Sequence, residues 1–208
     1  MMIPHLRTSG GRACVRRILI SGLLILAGLI PVVPLNATDD TTSAPAVTVR
    51  EEGGVYSVAA RFEVPQSPVL ALAVLTDYEQ IPRFMPGVET SIVLERASGL
   101  VIVEQEAVSH MMMFSKRVHL VLEITEGVDT LIFRDRSGRS FARYEGAWRL
   151  CEENGHTQIQ YELTAQPSFD VPQFLLKRLL RRDAGQMIEE LRREIADRSA
   201  PQTTARVP

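Results

Sequence analysis

The stretch Asp170–Arg198, DVPQFLLKRLLRRDAGQMIEELRREIADR, decides the architecture. Leu176, Leu180, Ala184, Met187, Ile188, Leu191 and Ile195 fall on one arc at about 100° per residue, the spacing of a helix that buries a single stripe. Asp170 with Gln173 reads as a capping box, and Pro172 suits a first turn. At about 1.5 Å per residue, some 28 residues reach about 42 Å. One flank of the stripe is basic (Lys177, Arg178, Arg181, Arg182, Arg192, Arg193) and the other acidic (Asp183, Glu190, Glu194, Asp197).

Upstream the apolar period changes to two, the mark of half-buried strands. Tyr56, Val58, Ala60, Phe62 and Val64 alternate with polar or small residues. Ser67-Pro68 then opens a helix over Val69–Thr76, and Asp77 with Gln80 reads as the cap of a second. Pro82, Pro86 and Gly87 keep that one short. Six more strands follow: Glu89–Arg96, Val101–Ser109, Lys116–Thr125, Thr130–Arg134, Phe141–Leu150 and Gln158–Ala165. Glu126-Gly127, Ser137-Gly138 and Asn154-Gly155 are hairpin turns. The expected fold class is α+β. A curved antiparallel sheet of about seven strands wraps a long C-terminal helix, with two short helices after the first strand. One sheet face must be covered, and only the terminal helix is long enough. The gap between the two is the expected ligand site.

The remaining segments divide as follows. Residues 1–37 carry four arginines and no acid, and Ile18–Thr38 is uncharged. They read as a signal peptide or an N-terminal membrane anchor. Either reading puts the rest of the chain outside the cytoplasm: periplasmic, secreted, or anchored and facing outward. Residues 38–53 read as a linker, 54–198 as the folded domain and 199–208 as a disordered tail. The 208 residues are 45% hydrophobic and 23% charged, which is globular composition. A net charge of −2 excludes a dedicated nucleic-acid binder. Two cysteines are too few for a disulfide scaffold.

The element order resembles the helix-grip fold of the START-like (SRPBCC) superfamily. More narrowly, the chain resembles the polyketide cyclase/dehydrase and lipid-transport family, close to the coenzyme Q-binding START-domain proteins. The residues that carry the resemblance are DYEQIPRFMPGV (Asp77–Val88), YEGAWRL (Tyr144–Leu150), TQIQYEL (Thr157–Leu163), Pro167 and the terminal helix. The resemblance implies binding or transfer of one hydrophobic molecule, a lipid, isoprenoid or quinone. Its partners are that molecule and a membrane surface, and the chain is expected to be a monomer. The second function it implies is a cyclase or dehydratase acting on a polyketide-like substrate in the same cavity.

On this reading Tyr56, Phe84, Met85, Leu120, Leu122, Tyr144, Trp148, Tyr161, Leu180 and Met187 line the cavity. Each can equally be ordinary core. Met111, Met112, Met113 and Phe114 form a gate or a tip that dips into a bilayer, because four apolar residues in a hairpin need a reason. Lys177, Arg178, Arg181 and Arg182 meet anionic head groups, or are simply a solvated face. An enzyme would draw on Tyr144, Tyr161 and Arg143. No catalytic set, metal site or cofactor is assigned. His110, His119 and His156 are scattered, and Glu104 with Glu106 reads as an exposed strand face.

Overall fold

The computed structural model describes residues 46–111, 114–170 and 172–200, with backbone alone for 109–111 and 114. The elements run β1 (Ala46–Glu52), β2 (Val55–Val64), α1 (Pro68–Leu75), a 3-10 turn (Tyr78–Gln80), α2 (Ile81–Phe84), β3 (Val88–Ala97), β4 (Leu100–Met111), β5 (Phe114–Glu126), β6 (Thr130–Asp135), β7 (Phe141–Glu153), β8 (His156–Pro167) and α3 (Gln173–Ser199). All the strands join one antiparallel sheet in the order β1-β2-β8-β7-β6-β5-β4-β3. β3 to β8 follow each other as a meander, and β2 closes on β8.

The sheet has eight strands, one more than the alternation predicts. The addition is β1, which lies inside the stretch read as a linker. Ala46 pairs with Arg61 and Glu52 with Val55 across a turn of two positive-φ glycines, Gly53 and Gly54. β1 is an edge strand, and only Val49 is fully buried. Beside Ala46 and the half-buried Val47, its other positions carry threonine, arginine and glutamates, so its composition is close to that of a loop.

The inward face is set by strict alternation. On β2, every second residue from Tyr56 to Val64 is buried. Thr157, Ile159, Tyr161, Leu163 and Ala165 do the same on β8. Leu131 and Phe133 on β6, and Leu120, Leu122 and Ile124 on β5, continue the face. α3 lies over β1 and β2 and also touches α1 and α2. Its stripe of Leu176, Ala184, Ile188, Leu191 and Ile195 is buried.

Two of the expected caps take a different form. Ser67 does cap α1, accepting from the Leu70 amide at 3.3 Å. Asp77 makes no cap bond to the following turn. Its carboxylate instead accepts from Arg198 Nη1 at 2.8 Å, near the end of α3. Nor do Asp170 and Gln173 form a capping box, because Pro172 is the N-cap and the helix begins at Gln173. An ion pair with another element outcompetes a local cap in the first case. In the second, the helix starts later than the pattern proposes.

Candidate functional site

The two ends of the domain differ. At one end α1, the 3-10 turn and the last turn of α3 converge. Thr157 is fully buried and its hydroxyl donates to the Gln66 carbonyl at 2.6 Å. The Tyr78 hydroxyl donates to Glu126 Oε1 at 2.8 Å, and Arg198 holds both Asp77 and Glu194. Ile188, Leu191 and Ile195, on the half of α3 nearest this end, have no exposed surface. This end is sealed by packing and by partnered polar groups.

The other end gathers the start of β3, the paired ends of β4 and β5, the turn between β6 and β7, and the end of β8. The Val108 amide donates to the Gly87 carbonyl at 2.7 Å, and the Ser168 amide donates to the Ser140 carbonyl at 3.1 Å. Here several side chains are only partly buried, as Leu70 and Leu72 of α1 are at the sealed end. Leu179, Leu180 and Met187 on α3, Phe84 on α2, Val118 on β5 and Tyr144 on β7 are only partly buried, though all pack against the core. The expected cavity residues differ in burial, and not simply along the axis from this end inward, since Tyr56 and Leu120 lie towards this end and are buried. Tyr56, Leu120, Leu122, Trp148 and Tyr161 are buried, whereas Phe84, Met85, Tyr144, Leu180 and Met187 are half-buried.

A run of aromatic rings follows that axis inward. Phe169, in the β8–α3 loop, meets Phe141 with centroids 6.1 Å apart. Phe141 meets Tyr144 at 4.9 Å, Tyr144 meets Phe133 at 6.1 Å, and Phe133 stacks on Tyr161 at 6.4 Å. Tyr161 meets Trp148 at 4.4 Å. These spacings lie within the range in which aromatic pairs attract. Lys116 Nζ sits 4.4 Å over the outermost ring, Phe169.

Two phenols interrupt this wall. Tyr144 and Tyr161 each bear on the other's proton affinity. Burial pushes Tyr144 up to about 12, and the Asp135 carboxylate pushes the same way. Tyr161 is raised further, by burial and then by the neighbouring Tyr144. Both stay neutral at physiological pH. They can donate hydrogen bonds, but they cannot serve as bases there.

The sequence profile of the polyketide cyclase/dehydrase and lipid-transport family matches residues 64–192, more than half of the chain. The protein belongs to this family. No curated protein matches the sequence. Solved structures share the fold at low identity. One is a Thermus thermophilus protein with 22% identity and a TM-score of 0.60, covering 69% of this chain and 99% of that one. Another is a STAR-related lipid transfer protein from Xanthomonas axonopodis, at 15% identity and TM-score 0.57, covering 74% and 99%. A third is the Zhui aromatase/cyclase from Streptomyces, at 13% and 0.62, covering 70% and 96%. The α+β helix-grip reading is therefore the observed fold.

Other predicted positions of this family member fall as follows. Lys177, Arg178, Arg181 and Arg182 are exposed on the first half of α3, at the end opposite the sealed one, and Arg182 Nη2 lies 3.1 Å from Asp183. Phe174, one turn earlier, is 77% exposed, a feature the helical stripe did not reveal. Met111 and Phe114 pair across the end of the β4–β5 hairpin. Met112, Met113 and the side chains of Met111 and Phe114 lie outside the described residues, as does the Ile18–Thr38 run. Among the described residues no helix is long and apolar enough to cross a membrane.

The outer face of the sheet carries its own features. A groove of about 640 Å³ is lined by Ser57, Ala59, Ile132, Ala147 and Thr164, with the pairs Arg134–Glu123 and Arg149–Glu162 along it. None of the expected cavity residues lines it. Glu104 and Glu106 also face outward, and the sheet brings His119 between them, at 3.5 and 3.8 Å, with Arg139 Nη1 at 3.1 Å. The histidine lies on the neighbouring strand opposite Glu106, a register that linear spacing cannot reveal.

Proposed function

We propose that this domain binds and transfers one hydrophobic molecule, a lipid, isoprenoid or quinone, held between α3 and the inward face of the sheet. The observation that carries the reading is the aromatic run from Phe169 at the end opposite the sealed one to Trp148 inside. A ligand that enters there exchanges water for apolar surface, worth about 25 cal/mol per Å² buried. The opposite end is sealed, so entry and exit share one mouth. Phe84 and the β4–β5 hairpin bound that mouth, with Phe174 and the basic residues of α3 beside it. That arrangement suits exchange at a membrane surface. The arginine-led apolar segment in residues 1–37 supports a reading of the protein as exported or membrane-anchored, with the domain outside the cytoplasm.

A cyclase or dehydratase needs an acid and a base converging on substrate. Tyr144 and Tyr161 supply only donors, and the carboxylates at the ends of the inward rows of β5 and β6, Glu126 and Asp135, are engaged by the Tyr78 hydroxyl and by the Val121 and Ser137 amides. This favours binding over catalysis. The test is organic extraction of the protein purified from a native-like host, followed by mass spectrometry. One stoichiometric lipid, isoprenoid or quinone is the expected result. A protein that neither carries nor takes up any apolar molecule sinks the proposal. N-terminal sequencing and a periplasmic reporter fusion test the location separately.

A further inference from the structure

We infer that His119 is a proton-operated switch on the β6–β7 turn: neutral, it holds Arg139 and with it the turn; protonated, it exchanges Arg139 for Glu104. Only the consequence, faster ligand release in acid, rests on the proposed binding function. His119 lies on the outer face of β5, opposite Glu106 on β4, with its side chain 15% exposed. Its Nε2 stands 3.1 Å from Arg139 Nη1 and 3.5 Å from Glu104 Oε1, and its Nδ1 stands 3.8 Å from Glu106 Oε1. A guanidinium only donates. The contact with Arg139 therefore requires a bare Nε2 and leaves the ring proton on Nδ1, towards Glu106. A second proton must go to Nε2. Two cations then meet where a hydrogen bond stood, while Glu104 gains a charged donor. One nitrogen serves two partners that it cannot satisfy together, and its proton chooses between them.

The charges in contact with His119 and its partners favour that exchange. β3 contributes Glu89, β4 Glu104 and Glu106, β5 Arg117 and the β6–β7 turn Arg139. Arg117 bridges Glu89 at 2.6 Å and Glu106 at 3.2 Å. Three carboxylates against two guanidiniums leave one negative charge, which a proton on His119 cancels. Nearby charges on β6 and β7 are committed elsewhere: Asp135 accepts from the amides of Val121, Ser137 and Gly138, and Arg143 pairs with Glu145. The turn in question reaches the mouth. Ser140, next to Arg139, accepts from the His119 amide through its hydroxyl at 3.0 Å and from the Ser168 amide through its carbonyl at 3.1 Å. Phe141 follows it and meets both Phe169 and Tyr144 in the aromatic run. Release of Arg139 thus removes a side-chain tie from the turn that carries the outer end of that run.

The first arm of the test needs no ligand. Nitrogen NMR of the His119 ring at about pH 8 should show the Nδ1–H tautomer. Acidification to about pH 5, across the range in which imidazoles charge, should move the Ser140 and Phe141 amides with the ring. In Arg139→Gln the ring should still titrate while the amides stop following it. An Nε2–H tautomer, or an amide response that persists in Arg139→Gln, overturns the switch. The second arm follows escape of the dye N-phenyl-1-naphthylamine from loaded protein into empty phosphatidylcholine vesicles. Escape should be about fivefold faster at the acid end, the equivalent of one hydrogen bond. The acceleration should vanish in His119→Gln, and escape from Arg139→Gln should be fast throughout. Acceleration that persists in His119→Gln overturns the switch. Failure of the dye to bind, with amides that still follow the ring, falls on the binding function and leaves the switch standing.

Discussion

Gly146 lies against Phe133 so closely that a β-carbon on the glycine would stand 2.6 Å from the ring's Cζ and 2.1 Å from the Glu162 carbonyl oxygen. Both obstacles are fixed. The carbonyl belongs to the adjacent strand β8, and Phe133 is held between Tyr144 and Tyr161. The glycine of YEGAWRL is therefore a packing requirement between β6 and β8. Gly146→Ala should destabilise the domain by at least the 1–3 kcal/mol typical of overpacking. At about 2–4 °C per kcal/mol, calorimetry should show Tm falling by roughly 2–12 °C. An unchanged Tm would mean that the strand can move aside.

Trp148 is the only tryptophan, and its ring centroid lies 4.4 Å from that of Tyr161. It is 8% exposed, so its emission should be blue-shifted and poorly quenched by iodide. If ligands occupy the space along the aromatic run, a naphthoquinone should quench it with a saturable, one-site curve. A purely linear, collisional response would place the quinone elsewhere.

The chain has four tyrosines, Tyr56, Tyr78, Tyr144 and Tyr161, and all four are pushed up from the ordinary phenol value, by burial first in each case. The unfolded chain releases these protons near pH 10, whereas Tyr144 in the folded state holds its proton to about 12. Between those values the native state binds more protons than the unfolded one, so stability falls as pH rises. Below pH 10 the contribution is fully present. Urea midpoints should therefore drop from pH 10 upward, and phenolate absorbance should appear together with unfolding. Tyr144→Phe should flatten the slope. Phenolate signal near pH 10 from a folded protein would contradict the burial of these groups.

The strands and α3 were legible because alternation and helical period survive burial intact, and seven strands start and end within a few residues of their expected limits. β1 was not, since an edge strand with one buried valine carries little apolar signal. The inward placement of Tyr144, Trp148 and Tyr161 followed from period two, but the contact of the Trp148 and Tyr161 rings depends on the β7–β8 register. So does the outward cluster of Glu104, Glu106 and His119, which belongs to β4 and β5 together. Asp77 shows the limit from the other side: its sequence context fits a local cap, and its carboxylate goes to Arg198, 121 residues away.

Phe174 and the basic residues that follow it share the first half of α3. An exposed phenylalanine one turn before Lys177, Arg178 and Arg181 has the composition of an interfacial anchor. Each basic residue near an anionic surface contributes about 1 kcal/mol, or roughly fivefold in association. Replacing Lys177, Arg178 and Arg181 by glutamine should therefore weaken binding to phosphatidylserine-containing vesicles by two orders of magnitude, with little effect on neutral ones. Phe174→Ser should weaken binding to both, since its contribution is apolar. Serine in place of Met111–Phe114 should act in the same direction if the hairpin tip also enters the bilayer. Solvated helix charges with no membrane role would leave co-sedimentation with vesicles unchanged in all three variants. A salt titration separates the contributions, because the charge-dependent part must fade as the Debye length shrinks while the Phe174 part persists.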